Sequence, residues 1–397
     1  MKKRFLRDIA EIQTGPFGSQ LHKEDYVDVG TPIVTVEHLG CRVFSEQNLP
    51  MVSDTDKSRL SKYVLKKGDI VFSRVGSVDR CSFVDPKHDG WMFSGRCLRV
   101  RPSEKVDSLF LYYFFCLNTT KEFVRSIAVG ATMPSINTKL LGEVEVVCPE
   151  IEEQRKIADI LSKIDDKIEE NQKINENLEQ QAQALFKSWF LNYEPWKGIA
   201  PNSWLHGKLG DFADIKRGGS PRPIQEYLSD SGLRWLKISD VTSLQTPFII
   251  DIKDHIIEEG LKKTVFLKAG SLVLSNSATP GIPKILDVDS CIHDGWLYFP
   301  ESKFSNEYLY LYFKYIRQQL VNLSNGSVFN NLKTDILKGY PTILPDEETL
   351  QRFDGIIKPM FLQMQNLTRE SHNLMDLRDT ILPCLMSGEL DVSGIDL

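Results

Sequence analysis

Two long stretches of the chain place their core-type residues at alternating spacings of four and three. Each position of the second stretch lies 196 residues after its counterpart in the first. A sustained repeat of about 3.5 residues is typical of helices that pair along a seam. We therefore predict that two long helices pair through Ile157, Leu161, Ile164, Ile168, Leu178, Leu185, Trp189, Phe353, Ile357, Met360, Met364, Leu367, Leu374, Ile381 and Leu385. The alternative is that each helix packs only on its own domain.

Both stretches also contain features that disturb an apolar seam. The polar seam positions are Asn171, Asn175, Ser371 and Arg378. A buried asparagine lowers the stability of a seam but fixes its register or its number of partners. Pro359 lies within the second stretch, and proline is tolerated in the first turn of a helix rather than in its interior. We therefore expect the second long helix to begin near Pro359, after a short separate helix over residues 347–357.

The rest of the chain repeats as well, with a period near 200 residues. LRDIAEIQTG is similar to LGDFADIKRG, LKKGDIVFSR to LKAGSLVLSN, and GATMPSINTKLLGEVEVVCPE to GSVFNNLKTDILKGYPTILPD. The tripeptide DGW and an aromatic run also recur, and all five blocks keep their order. A period of this length indicates a domain duplication and not a solenoid. It also allows one long helix to turn back on the other, which predicts an antiparallel pair.

We therefore predict an α+β fold with an internal pseudo-two-fold duplication. Two similar globular α/β domains are separated by two long antiparallel coiled-coil helices. Short runs such as TPIVTV, GDIVFSRV and GEVEVVC are typical of strands, and an aromatic helix is expected around residues 107–127. The predicted segments are a first domain (1–149), a first helix (150–190), a connector with a second domain (191–345), and a second helix with a tail (346–397).

Composition narrows the function by exclusion. The 397 residues carry a net charge of −6. The net charge of residues 1–149 is +3 and that of residues 191–345 is +1, so the excess of Asp and Glu lies on the helices and the tail. Mildly basic domains permit DNA binding without proving it. Seven scattered cysteines without a CxxC motif fit a reducing cytoplasm, and no apolar run is long enough to span a membrane. Nucleotide-binding, zinc, methyltransferase and hydrolase motifs are missing, which favours a binding role.

The helical segments and loops resemble one known family. The segment over residues 149–190 is similar to the central helical region of specificity subunits of Type I restriction–modification systems, and residues 374–390 to their distal region. GPFGSQL (15–21), LKKGDIVFSRVG (65–76) and the loop over residues 130–149 resemble the target-recognition domains of that family. The second domain departs from the pattern, with GGSPRP (218–223) where the first has GPFGSQ.

The resemblance implies a non-catalytic DNA-recognition subunit. Each domain would bind one half of a split, asymmetric sequence in double-stranded DNA, and the helices would act as a spacer. Two methyltransferase subunits, which bind S-adenosylmethionine, would dock on the helices. Motor-nuclease subunits, which use ATP and magnesium, would join them. The chain itself would hold no cofactor and no metal, and it would work in the cytoplasm.

Candidate DNA contacts follow from the chemistry of base and phosphate recognition. Arg or Lys suits guanine, Asn or Gln suits adenine, and small polar groups bind phosphate. Such residues cluster in turns within the repeated blocks. In the first domain they are Gln13, Ser19, Gln20, His38, Ser73, Arg74, Asn137 and Lys139. In the second they are Lys216, Arg217, Ser220, Arg222, Lys237, Ser239, Asn276, Ser277, Thr279, Asn330, Asn331 and Lys333.

Two other functions compete with DNA recognition. One is a coiled-coil adaptor that carries two protein-binding modules and binds no nucleic acid. The other is a fused methyltransferase or nuclease that acts alone, which the missing motifs disfavour. Steeply salt-dependent binding to duplex DNA separates the adaptor from a DNA-binding subunit. The end of the first long helix is a further open point, because Ala182, Leu185, Trp189 and Phe190 suit helix pairing, a methyltransferase contact, or packing on residues 191–205.

Overall fold

The computed structural model describes residues 2–16, 20–242, 244–324, 331–392 and 394. The chain forms two compact units. Unit 1 consists of Met1–Lys167 with Leu374–Leu397, and unit 2 consists of Ile168–Asn373. Each unit therefore combines one globular region with a part of each long helix.

Unit 1 contains ten short strands and five short helices among its described residues. The strands are β1 Lys2–Phe5, β2 Ala10–Thr14, β3 Tyr26–Val27, β4 Thr31–Val34, β5 Met51–Val52, β6 Ile70–Ser73, β7 Cys81–Phe83, β8 Met92–Phe93, β9 Cys97–Pro102 and β10 Glu145–Cys148. The helices are α1 Leu6–Ile9, α2 Asp54–Arg59, α3 Ser108–Cys116, α4 Asn118–Ser126 and α5 Thr138–Gly142. The first long helix, α6, is Ile151–Phe190. The three predicted strand runs are confirmed as β4, β6 and β10.

Unit 2 follows the same plan. Its strands are β11 Leu205–Lys208, β12 Lys216–Arg217, β13 Leu228–Ser229, β14 Leu233–Leu236, β15 Phe248–Ile249, β16 His255–Ile256, β17 Val265–Leu267, β18 Leu272–Ser275, β19 Pro283–Leu286, β20 Ser290–Ile292, β21 Trp296–Tyr298 and β22 Pro341–Leu344. Its helices are α7 Leu209–Phe212, α8 Asn306–Ser324 and α9 Thr334–Lys338. The second long helix, α10, is Glu347–Ser387.

The sheets confirm the duplication strand by strand. In unit 1 the sheet orders are β2-β9-β6-β7, β3-β5-β4-β8 and β1-β10. In unit 2 they are β12-β21-β18-β19-β15, β13-β16-β14-β20-β17 and β11-β22. The single parallel pair within the second sheet, β4 with β8, recurs as β14 with β20. Unit 2 adds one edge strand, β15 or β17, to each of the larger sheets.

The long helices are antiparallel in both units. In unit 2 the ring of Trp189 lies 5.6 Å from that of Phe353, and further back along α6 the Asn175 amide donates to Thr368 at 3.2 Å. Residue numbers thus rise on α6 as they fall on α10. In unit 1 Arg378 contacts Asp165, and nearer the start of α6 Ile157 and Leu161 share a core with Leu382 and Leu385, so the direction is the same. All of the predicted seam side chains are buried or half-buried.

The polar seam positions find specific partners. Asn171 is fully buried and donates to Glu370 at 2.9 Å within unit 2. Within unit 1, Arg378 donates to Asp165 at 2.7 Å, and the other oxygen of that carboxylate accepts from Tyr113 at 2.7 Å. Asp165 lies outside the 4-3 pattern, so the sequence periodicity did not identify this ion pair.

The prediction that the second helix begins near Pro359 is wrong. Helix α10 starts at Glu347 and continues through Pro359. Asp346 caps its first turn by accepting from the Thr349 amide at 2.9 Å. Phe353, Ile357, Phe361 and Met364 are buried on both sides of the proline, so tertiary packing outweighs the lost backbone hydrogen bond. The helix ends at Ser387, and Gly388 follows the last turn with a φ of 78°.

Two further predictions need correction. The aromatic helix expected around residues 107–127 is split into α3 and α4 at Leu117, which is extended with a φ of −56° and a ψ of 134°. Asn118 and Thr119 follow, and such residues favour helix starts over helix interiors. The two DGW tripeptides are not equivalent, because Trp91 precedes strand β8 whereas Trp296 begins β21.

In the described part of the chain, every helix is too short or too polar to cross a membrane.

Candidate nucleic-acid interface

A glycine in close contact with a neighbouring backbone begins the same loop in each unit. A Cβ atom on Gly15, just after β2, would lie 2.1 Å from the Ser94 carbonyl oxygen. A Cβ atom on Gly218, just after β12, would lie 2.3 Å from the His293 carbonyl oxygen. Only glycine allows the backbones to approach this closely. Gly15 and Gly218 therefore occupy equivalent positions, and the loops that follow them leave the sheet at the same place.

The neighbouring strands β6 and β18 end in a second matched pair. The amide of Arg74 donates to the Arg96 carbonyl at 2.8 Å, and the amide of Asn276 donates to the Gly295 carbonyl at 2.8 Å. Their side chains also donate to equivalent carbonyls, that of Gly95 at 3.1 Å and that of Asp294 at 3.2 Å. Arg74 therefore corresponds to Asn276, and Gly95 corresponds to Asp294.

In unit 1 these loops surround a cavity of about 420 Å³. It is lined by Pro16, Tyr26, Thr35, Glu37, Arg74 and Arg96, among others. Two guanidinium groups and a carboxylate thus face one space, beside a tyrosine ring. Side chains of this kind carry directed donors and acceptors, which base edges require for recognition.

In unit 2 the corresponding loops converge on Asp294. Ser220 donates to the Asp294 carboxylate at 2.6 Å, while the guanidinium of Arg217 lies 3.5 Å and that of Arg222 3.6 Å from its second oxygen. Arg217 also donates to the Asp294 backbone carbonyl at 2.5 Å. Burial raises the pKa of the Asp294 carboxyl, but the hydrogen bond from Ser220 and the nearby positive charges outweigh this effect and hold the pKa below its ordinary value.

Three predicted contacts lie in the interior and cannot reach DNA as they are placed. The exposed fractions are 5% for His38, 1% for Ser73 and 4% for Asn276. His38 Nδ1 accepts from the Thr35 amide at 3.0 Å, so its Nε2 donates to the Gln47 carbonyl at 3.1 Å. Ser73 donates to the Val75 carbonyl at 2.8 Å. We therefore correct their assignment, because these side chains hold the loops that carry other contacts.

Other predicted residues also have local partners. Asn137 caps α5 by accepting from the Leu140 amide at 2.9 Å, and Gln20 accepts from the Tyr63 hydroxyl at 2.6 Å. Lys216 pairs with Asp214 at 3.0 Å, and Lys237 pairs with Asp254. These partners are compatible with a DNA contact that replaces or supplements them.

The remaining predicted residues are scattered around the loops. Lys139, Ser239 and Lys333 are exposed, whereas Gln13, Ser277, Thr279 and Asn331 are half-buried. Ser19 and Asn330 lie outside the described residues. The predicted residues that the structure does bring together are Arg217, Ser220, Arg222 and Asn276. Asp294, the residue that joins them, was not predicted, because the candidates were chosen for guanine, adenine and phosphate recognition and carboxylates were left out. Its counterpart by strand pairing is Gly95, and not Asp89 of the first DGW.

The aromatic end of α6 is a structural core. Trp189 contacts Trp196 at 5.9 Å, and Phe190 contacts Phe353 at 4.7 Å and Trp204 at 5.8 Å between ring centroids. Both side chains are buried. They therefore serve helix pairing and the packing of the connector together, and they are not accessible to a partner subunit.

An apolar groove lies in unit 1 where the end of α10 meets α3 and α4. It measures about 840 Å³, and its lining includes Phe5, Phe114, Leu117, Phe123, Pro383 and Met386. A smaller groove of about 200 Å³ lies in unit 2 between α6 and α8, with Lys187, Leu311 and Tyr315 in its lining. Lys187 and Pro383 are 196 residues apart, so both grooves lie at equivalent sites of the duplicated helix.

The described residues include no group of three or more potential ligands that could hold a metal ion.

Comparisons with known proteins agree with this architecture. The family described as "Type I restriction modification DNA specificity domain" matches residues 1–180 and again residues 201–366. The chain is 28% identical over 317 residues to the type I restriction enzyme MjaIX specificity subunit of Methanocaldococcus jannaschii, covering 75% of this chain and 72% of that protein. It is 24% identical over 434 residues to the HindI specificity subunit of Haemophilus influenzae, covering 90% and 92%.

A solved structure supports the fold. The S subunit of a type I restriction–modification system from M. genitalium superposes with a TM-score of 0.62 at 18% identity, covering 97% of this chain and 95% of that one. Both halves of the chain, including the long helices, thus take part in one shared architecture.

Proposed function

We propose that unit 1 and unit 2 each bind one half of a split, asymmetric sequence in duplex DNA. The chain belongs to the family of type I restriction–modification DNA specificity subunits, from which this proposal starts. One observation carries this proposal. The two units present different accessible side chains from the same backbone framework, Arg74 in unit 1 and Asp294 with Arg217 and Arg222 in unit 2. Identical frameworks that display different donors and acceptors suit two different base sequences.

The chain acts, in this proposal, without catalysing a reaction itself. Two methyltransferase subunits with bound S-adenosylmethionine modify the DNA, and motor-nuclease subunits with ATP and magnesium cut unmodified DNA. The reducing cytoplasm, where the DNA is accessible, is the proposed location, which agrees with seven free cysteines.

The two apolar grooves are the proposed docking sites of the methyltransferase subunits. The duplication supplies one groove per unit, which supports a stoichiometry of two. The groove of unit 1 has an exposed aromatic edge at Phe123, whose exposed fraction is 43%. We expect Phe123→Glu to reduce methyltransferase binding in a pull-down while the melting temperature changes little. Val29→Glu, an exposed residue of the same unit, is the matched control.

Exchange of residues 1–149 for the equivalent segment of a relative tests the proposal directly. Because unit 1 has its own core and its own loops, the exchange should alter one half of the methylated motif and leave the other half unchanged. Methylation sequencing of cells that carry each variant measures the motif. A change in both halves would contradict independent recognition. Binding of the complex to duplex DNA that does not weaken with salt would instead favour the protein adaptor.

The long helices act as a ruler in this proposal. Helix α6 has 40 residues, which corresponds to about 60 Å. Four residues inserted after Asn177 would lengthen it by about 6 Å, so the gap between the half-sites should grow by about one or two base pairs. The insertion also disturbs the seam, and a matched insertion near Asn373 should restore folding if it is lost. An unchanged gap in a folded, active variant would contradict the ruler.

A further inference from the structure

Two arginines of unit 2 are arranged around a single carboxylate in the candidate interface. The exposed fraction of the side chain is 52% for Arg217, 78% for Arg222 and 39% for Asp294. All three groups are therefore accessible to a large ligand. Ser220 fixes the carboxylate, because its hydroxyl donates to one carboxylate oxygen and accepts from the Asp294 amide at 3.2 Å.

The backbone reinforces this arrangement independently of the carboxylate. The Asp294 carbonyl accepts from Arg217 and from the buried amide of Asn276. Gly218, which cannot carry a side chain here, brings the loop of Ser220 against the adjacent His293 carbonyl. A change of the Asp294 side chain alone thus leaves the loop framework in place.

The carboxylate opposes phosphate more strongly than it opposes a base. Two accessible guanidinium groups bind any phosphate, which gives affinity without sequence information. A phosphate that approaches them carries a full negative charge and is repelled by Asp294. A guanine edge offers two acceptors without a full charge, so the same carboxylate penalises it less.

We infer that Asp294 is a positioning residue that holds Arg217 and Arg222 for base recognition and suppresses their binding to phosphate regardless of sequence. Gly95 occupies the equivalent position in unit 1, so a carboxylate at this position is specific to unit 2. The inference rests on the proposed DNA recognition and assigns the arginines of unit 2 to that recognition.

The test uses the complex of the full chain with its methyltransferase subunits. Two duplexes are compared between about 50 and 200 mM salt, the range over which phosphate contacts lose affinity steeply. One carries the methylated motif found in cells, and the other has the half assigned to unit 2 scrambled. The variants are Asp294→Asn, which removes the charge, and Asp294→Glu, which keeps it. Asp230→Asn removes an exposed carboxylate elsewhere in unit 2 and serves as the matched control.

For Asp294→Asn we expect tighter binding to the scrambled duplex by about five- to tenfold at 0.1 M salt, which corresponds to about one additional phosphate contact and a salt slope steeper by about 0.9. Binding to the cognate duplex should change less, so discrimination falls. Asp294→Glu should retain the weak binding to the scrambled duplex.

Two results would overturn the inference. One is that Asp294→Asn binds the scrambled duplex with the affinity and salt slope of Asp230→Asn. The other is that Asp294→Glu, which keeps the charge, binds the scrambled duplex about five- to tenfold more tightly than the wild type does. This second result can be measured even if Asp294→Asn fails to fold. A wild-type complex that fails to prefer its methylated motif would instead contradict the proposed function itself.

Discussion

At the end of β6 unit 1 carries Arg74 beside Gly95, whereas at the end of β18 unit 2 carries Asn276 beside Asp294. The backbone hydrogen bonds around these residues are the same in both units. Ser82 and Lys284 form a third pair of equivalent positions with different side chains, on the strands next to β6 and β18. Ser82 donates to the Cys41 carbonyl in unit 1, whereas Lys284 donates to the Leu244 and Thr246 carbonyls in unit 2. The two units thus share the close-contact glycines, Gly15 and Gly218, and the backbone hydrogen bonds at these strand ends, whereas the side chains at the other matched positions differ.

The largest effect is expected where the shared framework itself is altered. In Gly218→Ala the new Cβ meets the His293 carbonyl oxygen at 2.3 Å, so the backbone must shift. We expect a loss of about 1–3 kcal/mol in the free energy of unfolding, as for other overpacked sites, and loss of recognition by unit 2 alone. Gly15→Ala should have the mirrored effect on unit 1. Chemical denaturation and the methylated motif measure the two quantities.

A control for this prediction lies on α10. Gly355 is helical, and an added Cβ atom would find nothing within 4 Å. Gly355→Ala should therefore stabilise the helix by about 0.5–1 kcal/mol and leave both half-sites unchanged. Equal losses in Gly218→Ala and Gly355→Ala would show that the close backbone approach is not what makes glycine necessary after β12.

The sequence predicted the elements of this comparison better than their details. The 4-3 spacing identified both helices because periodicity is a local signal. It could not show that α10 continues through Pro359, since the four buried residues around that proline are stabilised by distant parts of the chain. The split at Leu117, by contrast, has a local signal in Asn118 and Thr119, which favour helix starts, but the aromatic pattern alone does not include it.

The candidate site was predicted only in part. Polar residues in repeated turns led to Arg217, Ser220 and Arg222, which do cluster. The same reasoning selected His38 and Ser73, because a polar residue that holds a loop from inside looks the same in sequence as one that faces solvent. Asp294 was missed because the selection by residue type covered donors and small polar groups and left out carboxylates, which position such donors.

A loss of stability of similar size, but without loss of recognition, is expected at the ion pair between the long helices of unit 1. Unit 1 pairs its helices through an ion pair, and the side chain of Asp165 is only 7% exposed while that of Arg378 is 27% exposed. Arg378→Met leaves this carboxylate with Tyr113 as its described hydrogen-bond partner. Removal of one partner of a buried pair costs about 3–5 kcal/mol, and the partial exposure of Arg378 reduces our expectation to about 2–3 kcal/mol.

The matched control is Arg155→Met on α6. Its partner Glu152 is 75% exposed and Arg155 is 60% exposed, so the cost should stay below about 1 kcal/mol. Thermal unfolding of the two variants measures the difference. Similar melting temperatures would show that the ion pair between the helices of unit 1 is as replaceable as a surface pair.

The last effect depends on pH and concerns the buried loop anchors, Ser82 and Lys284. Burial, followed by the repulsion from Lys314, lowers the pKa of Lys284 to about 7, from an ordinary value of 10.5. Between these two values the unfolded chain binds more protons at this position than the folded chain. The free energy of unfolding must therefore rise with pH across this interval, by at most about 1.4 kcal/mol per pH unit.

Comparison with Lys284→Met isolates this contribution, because the other titrating groups are common to both proteins. We expect the stability of the wild type relative to Lys284→Met to increase from pH 7 to pH 10 and to level off below pH 7, where Lys284 is charged in both states. Ser82→Ala should shift stability by the same amount at every pH, since a hydroxyl does not titrate in this range. A flat difference for Lys284→Met would mean that the Leu244 and Thr246 carbonyls keep the ammonium charged in the folded state. The two anchors would then differ in length and charge alone, and the loop of unit 2 would be held equally well at every pH.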